Sequence, residues 1–181
     1  LRLANSYEFQ IIDRDPSLAG DTATTVDVCF DLLKRLAQGQ LQQYDLLHLF
    51  QPTAPFREID YFRKVLELFD ENNNLTSVFS VTEEDSCHPA YMYFAGDQPE
   101  TVQPVLGNKF EVGLRAQDMP KVYRRDGSYY SIKLATFLKS MSFLPDVANA
   151  KVVIVPAQNA INIDTQKDLD YAEYLLRSGV V

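Results

Sequence analysis

Two stretches hold side chains whose type and spacing suit the binding of a polar ligand. In Gln51-Pro-Thr-Ala-Pro-Phe-Arg57, the prolines at 52 and 55 fix φ and remove two backbone donors. Neither a strand nor a helix can run through them. The residues before them, Asp45 to Phe50, form an apolar run long enough for a buried strand and too short for a helix. A helical pattern begins near Ile59. Strand, stiff loop and helix in that order put Gln51 and Thr53 at the carboxyl edge of a strand, where open α/β sheets bind ligands. The Gln51 amide both donates and accepts, which suits a base or a sugar better than a lone phosphate. A rigid βα turn with no ligand is the competing reading.

The second stretch is Asn159-Ala-Ile-Asn-Ile-Asp-Thr-Gln-Lys-Asp-Leu-Asp170. Asn162 and Asp164 alternate by two, so an extended backbone turns both to one side. Together they offer oxygen to a hard cation such as Mg²⁺. Alternatively, Asp164 only complements the dipole of the helix that follows. Thr165 reads as the N-cap of that helix, with Asp168 as its acidic partner three residues on. Arg115, Gln117, Arg124 and Arg125 crowd the region around Pro120, and arginine forks recognise carboxylate and phosphate in pairs of bonds. A solvated basic face is the plainer reading for Arg124 and Arg125. Arg14 lies in a loop after a strand-like run, a fitting place for a phosphate contact. No nucleophile elbow, GxGxxG or Walker A loop is present, so the sequence holds no phosphate cradle of these kinds.

These residues need a scaffold, and the hydrophobic pattern outlines one. Leu1 to Asn5 reads as a helix end and Glu8 to Asp13 as a short alternating strand. Arg14 to Asp21 is a loop broken by Pro16 and Gly20. Thr22 to Gln38 is helical, with Val26, Phe30, Leu33 and Ala37 on one face. Ile59 to Asn72 is a second helix, and Leu75 to Val81 a strand rich in β-branched residues. From Thr82 to about Leu144 the pattern changes to short β-like pieces, at Ala90 to Phe94, Thr101 to Leu106, Lys109 to Val112 and Ser128 to Ile132. A short helix follows near Leu134 to Ser140. This region, about 82–144, reads as a lobe inserted into a single domain covering 1–181. Lys151 to Pro156 is a strongly apolar strand and Thr165 to Arg177 the last helix. Helices alternating with apolar strands predict an α/β fold, a mostly parallel sheet covered on both faces.

The 181 residues suffice for one domain with a substantial core. A net charge of −8 argues against broad nucleic-acid or anionic-membrane binding, though not against one small anion held by placed arginines. No apolar run approaches the ~20 residues that span a bilayer, and no basic segment followed by an apolar one marks a signal peptide. Cys29 and Cys87 are isolated, which fits a reduced, cytoplasmic protein. His48 and His88 lack metal-ligand spacing and read as structural.

Four motifs in order resemble one family over nearly the whole chain. Gln51 to Arg57, Arg14 to Asp21, Arg115-Ala-Gln-Asp-Met-Pro120, and Ile161-Asn-Ile-Asp-Thr165 followed by Asp168-Leu169 and Ala172-Glu173 resemble the acylneuraminate cytidylyltransferases. These are the CMP-sialic acid synthetases and their legionaminic and pseudaminic acid relatives. The resemblance implies a Rossmann-like fold with an inserted β-rich dimerisation lobe, and a homodimer. It implies transfer of CMP from CTP to a nine-carbon acidic sugar, with Mg²⁺ and release of pyrophosphate. By position, Arg14, Ala23 and Thr25 would face the nucleotide, and Gln51 the sugar with Thr53 and Gln117. Arg115 would meet the sugar carboxylate, across a dimer interface. Asp164 would hold the metal, with Asn162 beside it.

The departures from the family are specific. Its first strand and its Arg- and Lys-bearing phosphate loop are not in the sequence, which starts at Leu1. The expectation is therefore an amino-terminally truncated chain that is inactive alone and unstable where sheet edges lie open. Where many members carry two metal aspartates, this chain has Asn162 and then Asp164. Tyr91 stands where many have lysine, and Asp126 where the family has Asn before a Gly. A catalytically dead relative and an enzyme for an eight-carbon acidic sugar are the alternatives. All readings of the site require Gln51 and Asp164 to meet in one crevice.

Overall fold

The structure, a computed structural model, describes residues 7, 9–36, 41–84, 86–107 and 115–181. Its first helix, α1 (Thr25–Leu36), starts where Thr24 and Asp27 cap each other. The Thr24 N–H donates to Asp27 Oδ2 at 3.0 Å, and the Asp27 N–H to Thr24 Oγ1 at 3.1 Å. The chain then runs through β1 (Leu46–Leu49), α2 (Ile59–Glu71) and β2 (Ser77–Glu83). A small hairpin, β3 (Tyr93–Ala95) with β4 (Val102–Pro104), follows. Next come β5 (Tyr123–Lys133), α3 (Leu134–Ser140), β6 (Ala150–Ile154) and α4 (Gln166–Ser178). Two left-handed caps end helices, Met141 after α3 (φ 52°) and Gly179 after α4 (φ 70°).

The main sheet has the order β1-β5-β2-β6. β2 and β6 are parallel, while β5 runs antiparallel to both β1 and β2. Three strands therefore point one way, as the alternation of helices and strands predicts, and β5 opposes them. The long β5 grows out of the stretch read as an inserted lobe. Of residues 82–144, the hairpin at 93–104 stands apart from the main sheet, whereas 123–140 belong to it and to the helix packed on it.

Two cores cover the two faces. On one, Val65 and Phe69 of α2 pack with Leu75, Val78, Tyr129, Val153 and Val155. On the other, Leu33 of α1 and Phe137 of α3 pack with Ile132, Leu134 and Phe143. Tyr129 and Ile132 of β5 thus serve opposite faces, as the pleat requires.

Some expected elements differ. Phe9 to Asp13 form no strand, and Phe9 is 70% exposed. Alternation makes a strand only with a neighbour to pair, and no described residue pairs there. Leu1 to Asn5, Glu8, Ala37, Gln38 and Lys109 to Val112 lie outside the described residues.

The register of β2 on β5 breaks at one place. β2 advances from Phe79 to Val81 while β5 recedes from Tyr130 to Arg125, so residues 126–129 stand opposite Ser80 alone. Gly127 bends this bulge with φ 83°. The buried Ser80 hydroxyl replaces the lost ladder bonds. It accepts from the Tyr129 N–H at 2.9 Å and donates to the carboxylate of buried Asp126. Ser80→Ala removes both partners in a dry site. We expect a loss of about 2 to 4 kcal/mol of unfolding free energy, read as a lower urea midpoint with unchanged far-ultraviolet circular dichroism. A midpoint equal to that of the wild type would refute this account of the bulge.

Candidate functional site

The loop after β1 is locked by its own arginine. The Ala54 N–H donates to the Gln51 carbonyl at 3.1 Å. The Arg57 guanidinium donates to the same carbonyl at 3.1 and 2.6 Å and to the Ala54 carbonyl. Burial works against the Arg57 charge, and nearby Tyr129 and Asp126 favour it. The loop after β6 folds back toward this one. The Asn159 amide donates to Glu58 Oε1 at 2.7 Å and to the Phe56 carbonyl at 3.4 Å. The Ile163 N–H donates to the Thr53 carbonyl at 2.8 Å. Two loops far apart in sequence are thereby sewn together over the carboxyl ends of β1 and β6.

Between them and the β5 bulge lies a cleft of about 560 Å³. Gln51 forms one wall, Asn162 and Asp164 another, and Arg124, Arg125, Asp126 and Tyr130 the floor and rim. A Cβ on Gly127 would lie 3.3 Å from Gln51 Oε1 and 3.6 Å from Asn162 Oδ1, so glycine here lets both side chains reach one point. The Asn162 amide donates to Asp164 Oδ2 at 2.6 Å. A second recess of about 270 Å³ adjoins the first and shares Gln51, Arg125 and Tyr130 with it. Its other walls include Thr25, Val26 and Leu49.

The expected residues divide accordingly. Gln51, Asn162 and Asp164 meet in one cleft, and Thr25 faces the adjoining recess. Thr53 contributes its backbone carbonyl to the seam. Ala23 is half-buried and Arg14 exposed, and neither lines the two recesses. Arg115 and Gln117 are exposed and stand outside both recesses, with Arg115 paired to Asp118 at 2.7 Å. Arg124 and Arg125, read as a solvated face, line the cleft instead, because the bulge turns that end of β5 toward the ligand loops. Arg124 is tied to Glu84 at 3.0 Å. Asp126 and Ser80 were not picked out as site residues. The Asp126-Gly127 pair was the available signal, since Asp-Gly marks turns and bulges. His48 and His88 are structural as expected. His48 Nδ1 lies 2.8 Å from Ser131 Oγ, and His88 accepts from the Ala90 N–H at 3.0 Å.

The oxygen-only character of the Asn162 and Asp164 pair fits Mg²⁺. Asn162 Oδ1 is buried with no hydrogen-bond donor among the described residues. No group of three or more His, Cys, Asp or Glu side chains among those residues is placed to hold a metal. A cation here would draw on the amide oxygen as well as on carboxylate.

No family model matches the chain. It is 27% identical over 165 residues to the pseudaminic acid cytidylyltransferase of Campylobacter jejuni, covering 91% of this chain and 67% of that protein. It is 27% identical over 163 residues to the CMP-N,N'-diacetyllegionaminic acid synthase of Legionella pneumophila, covering 90% and 67%. Against the N-acylneuraminate cytidylyltransferase of Streptococcus agalactiae it is 24% identical over 158 residues, covering 87% and 35%. The chain is thus similar to acylneuraminate-type cytidylyltransferases. It spans two thirds of the length of the first two relatives and about one third of the third. A solved CMP:2-keto-3-deoxy-manno-octonic acid synthetase, complexed with CTP, shares the fold. Its TM-score is 0.56 at 11% identity, covering 92% of this chain and 79% of that one.

In this chain the start of α4 is already occupied by a carboxylate. Asp168 accepts from the N–H groups of Asp164 at 3.1 Å and Thr165 at 2.7 Å, and from the Thr165 hydroxyl at 2.8 Å. The Thr165 hydroxyl, then the backbone donors, hold the Asp168 pKa below its ordinary 3.8. A lowered folded pKa stabilises at pH above the unfolded value, and the gain is lost as pH falls through the folded value. Asp168→Asn is therefore expected to lower the melting temperature at pH 7 and to flatten its fall below about pH 4. Thermal unfolding from pH 2.5 to 7 measures both. An unchanged acid limb would contradict the assignment.

Proposed function

We propose that the protein transfers CMP from CTP to a nine-carbon acidic sugar, of the sialic, legionaminic or pseudaminic type, releasing pyrophosphate. The observation that carries this is the convergence of Gln51 and Asp164 on one polar cleft, in a chain similar to such enzymes. The relatives named above act on such sugars, and their names supply the substrate class. In-line attack of a sugar hydroxyl on the α-phosphorus needs positioning and charge neutralisation, not a covalent intermediate. Gln51, with its carbonyl locked by Arg57, presents its amide to the sugar. Arg125 is the cation on the partition between the two recesses, suited to an acidic substrate. Thr25 marks the recess for the nucleotide. Mg²⁺, when bound by Asp164 and Asn162, would neutralise phosphate charge and act as a Lewis acid.

The exposed aromatic hairpin supports a dimer. Tyr93, Phe94 and Val102 are 53%, 60% and 62% exposed, an apolar surface of the kind that marks protein contacts. A second copy docked there is the route by which Arg115 would reach a substrate. Phe94→Glu should convert a dimer to a monomer in sedimentation velocity, and a wild-type monomer at micromolar concentration would refute the hairpin contact. The free thiols of Cys29 and Cys87 suit a cytoplasmic reaction.

The test is pyrophosphate release with CTP across a panel of nine-carbon and eight-carbon acidic sugars. A longer protein containing this chain is expected to turn over with the nine-carbon sugars. The 181 residues alone should turn over far less, since among the described residues no lysine lines the cleft. Gln51→Ala should cut kcat/KM by about tenfold, as loss of a neutral hydrogen bond implies. Release only with an eight-carbon sugar would reassign the substrate. A second reading rests on Asn162, whose amide is already bonded to Asp164: a binding protein without catalysis. Sugar binding by calorimetry with no heat from CTP and Mg²⁺ would favour it.

A further inference from the structure

We infer that Asp126, on the β5 bulge, is a cation ligand facing Asn162 and Asp164, so that the site's second carboxylate comes from the sheet and not from the loop after β6. The inference rests on the cation-dependent reading above and goes beyond it in assigning this residue.

Asp126 is 2% exposed, yet it lines the cleft. Its Oδ1 is satisfied by the Ser80 hydroxyl and, at 3.4 Å, by the Ser128 N–H. Its Oδ2 is buried and accepts nothing among the described residues. Asn162 Oδ1 is likewise buried without a donor, and it lies beside Gly127, the next residue to Asp126. The orientation of the Asn162 amide is settled by its bond to Asp164 Oδ2, so its oxygen, not its nitrogen, is the orphan. Two orphan acceptors thus lie in the wall of one cleft, with the Asp164 carboxylate beside them. A buried carboxylate that lacks a donor is costly unless a cation or a proton meets it. Arg57, whose charge Asp126 favours, cannot do so. Arg57 spends its guanidinium on the Gln51 and Ala54 carbonyls.

The donor set is therefore two carboxylates and one amide oxygen, all hard, gathered from β5 and the loop before α4. Charge count and oxygen ligands set the affinity of such sites for divalent cations. Asp126 thereby restores the carboxylate that position 162 lacks.

Mn²⁺ titration of the protein without nucleotide, followed by electron paramagnetic resonance and by the metal-induced rise in melting temperature, tests this. Asp126→Asn should weaken Mn²⁺ roughly tenfold or more and abolish the thermal shift. The exchange variant, Asp126→Asn with Asn162→Asp, keeps the carboxylate count and should recover both signals. Equal Mn²⁺ affinity in the wild type and Asp126→Asn would overturn the proposal. Failure of the wild type to bind Mn²⁺ would also overturn it. If Asp126→Asn does not fold, an exchange variant that folds but binds no Mn²⁺ counts against the proposal. Mn²⁺ binding that needs Asp126, in a longer protein containing this chain that releases no pyrophosphate from CTP with any sugar of the panel, would sink the cytidylyltransferase reading and leave this site standing.

Discussion

The Ile163 N–H to Thr53 carbonyl bond is the seam on which the site depends. One bond of this kind contributes only about 1 kcal/mol net. Its effect is geometric: it joins loops that leave different strands and begin different helices. Arg57 stiffens one side of the seam and Asn159 the other. Pro52 and Pro55 remove donors that would otherwise need partners, and the carbonyls of Gln51, Thr53 and Ala54 around them accept from Arg57 and Ile163. The loop chemistry and the cleft are one arrangement.

The second constraint comes from beneath. A regular β5 would carry its side chains straight past the crevice. The bulge opposite Ser80 instead lifts a short segment toward the loops. A serine hydroxyl can donate and accept at once, which lets one small side chain close the gap in the ladder. The bulge then serves two ends, bringing Arg125 and Tyr130 to the partition and Asp126 to the floor.

What could be read from the residues was what depends on near neighbours. The strand, proline loop and helix around Gln51 follow from local rules, as does the Thr165–Asp168 cap. The meeting of Gln51 with Asp164 was stated as a requirement, and the cleft satisfies it. The placement of β5 was less accessible. Its pairing with β1 joins residues more than eighty positions apart, and Tyr123 to Lys133 reads as broken because Asp126-Gly127 interrupts it. The role of Ser80 depends on a partner distant in sequence, so no local pattern could show it. Arg115 is a different case: its motif matched, but an exposed side chain paired to Asp118 reaches no recess within one copy.

Among the described residues, the two recesses share Gln51, Arg125 and Tyr130 as their partition. Whatever fills one chamber stiffens the party wall of the other. Any coupling through that wall is reciprocal, each guest changing affinity on the other side by the same factor. Order of arrival then matters little to the final complex, and a bulky group that displaces Tyr130 is felt by both tenants.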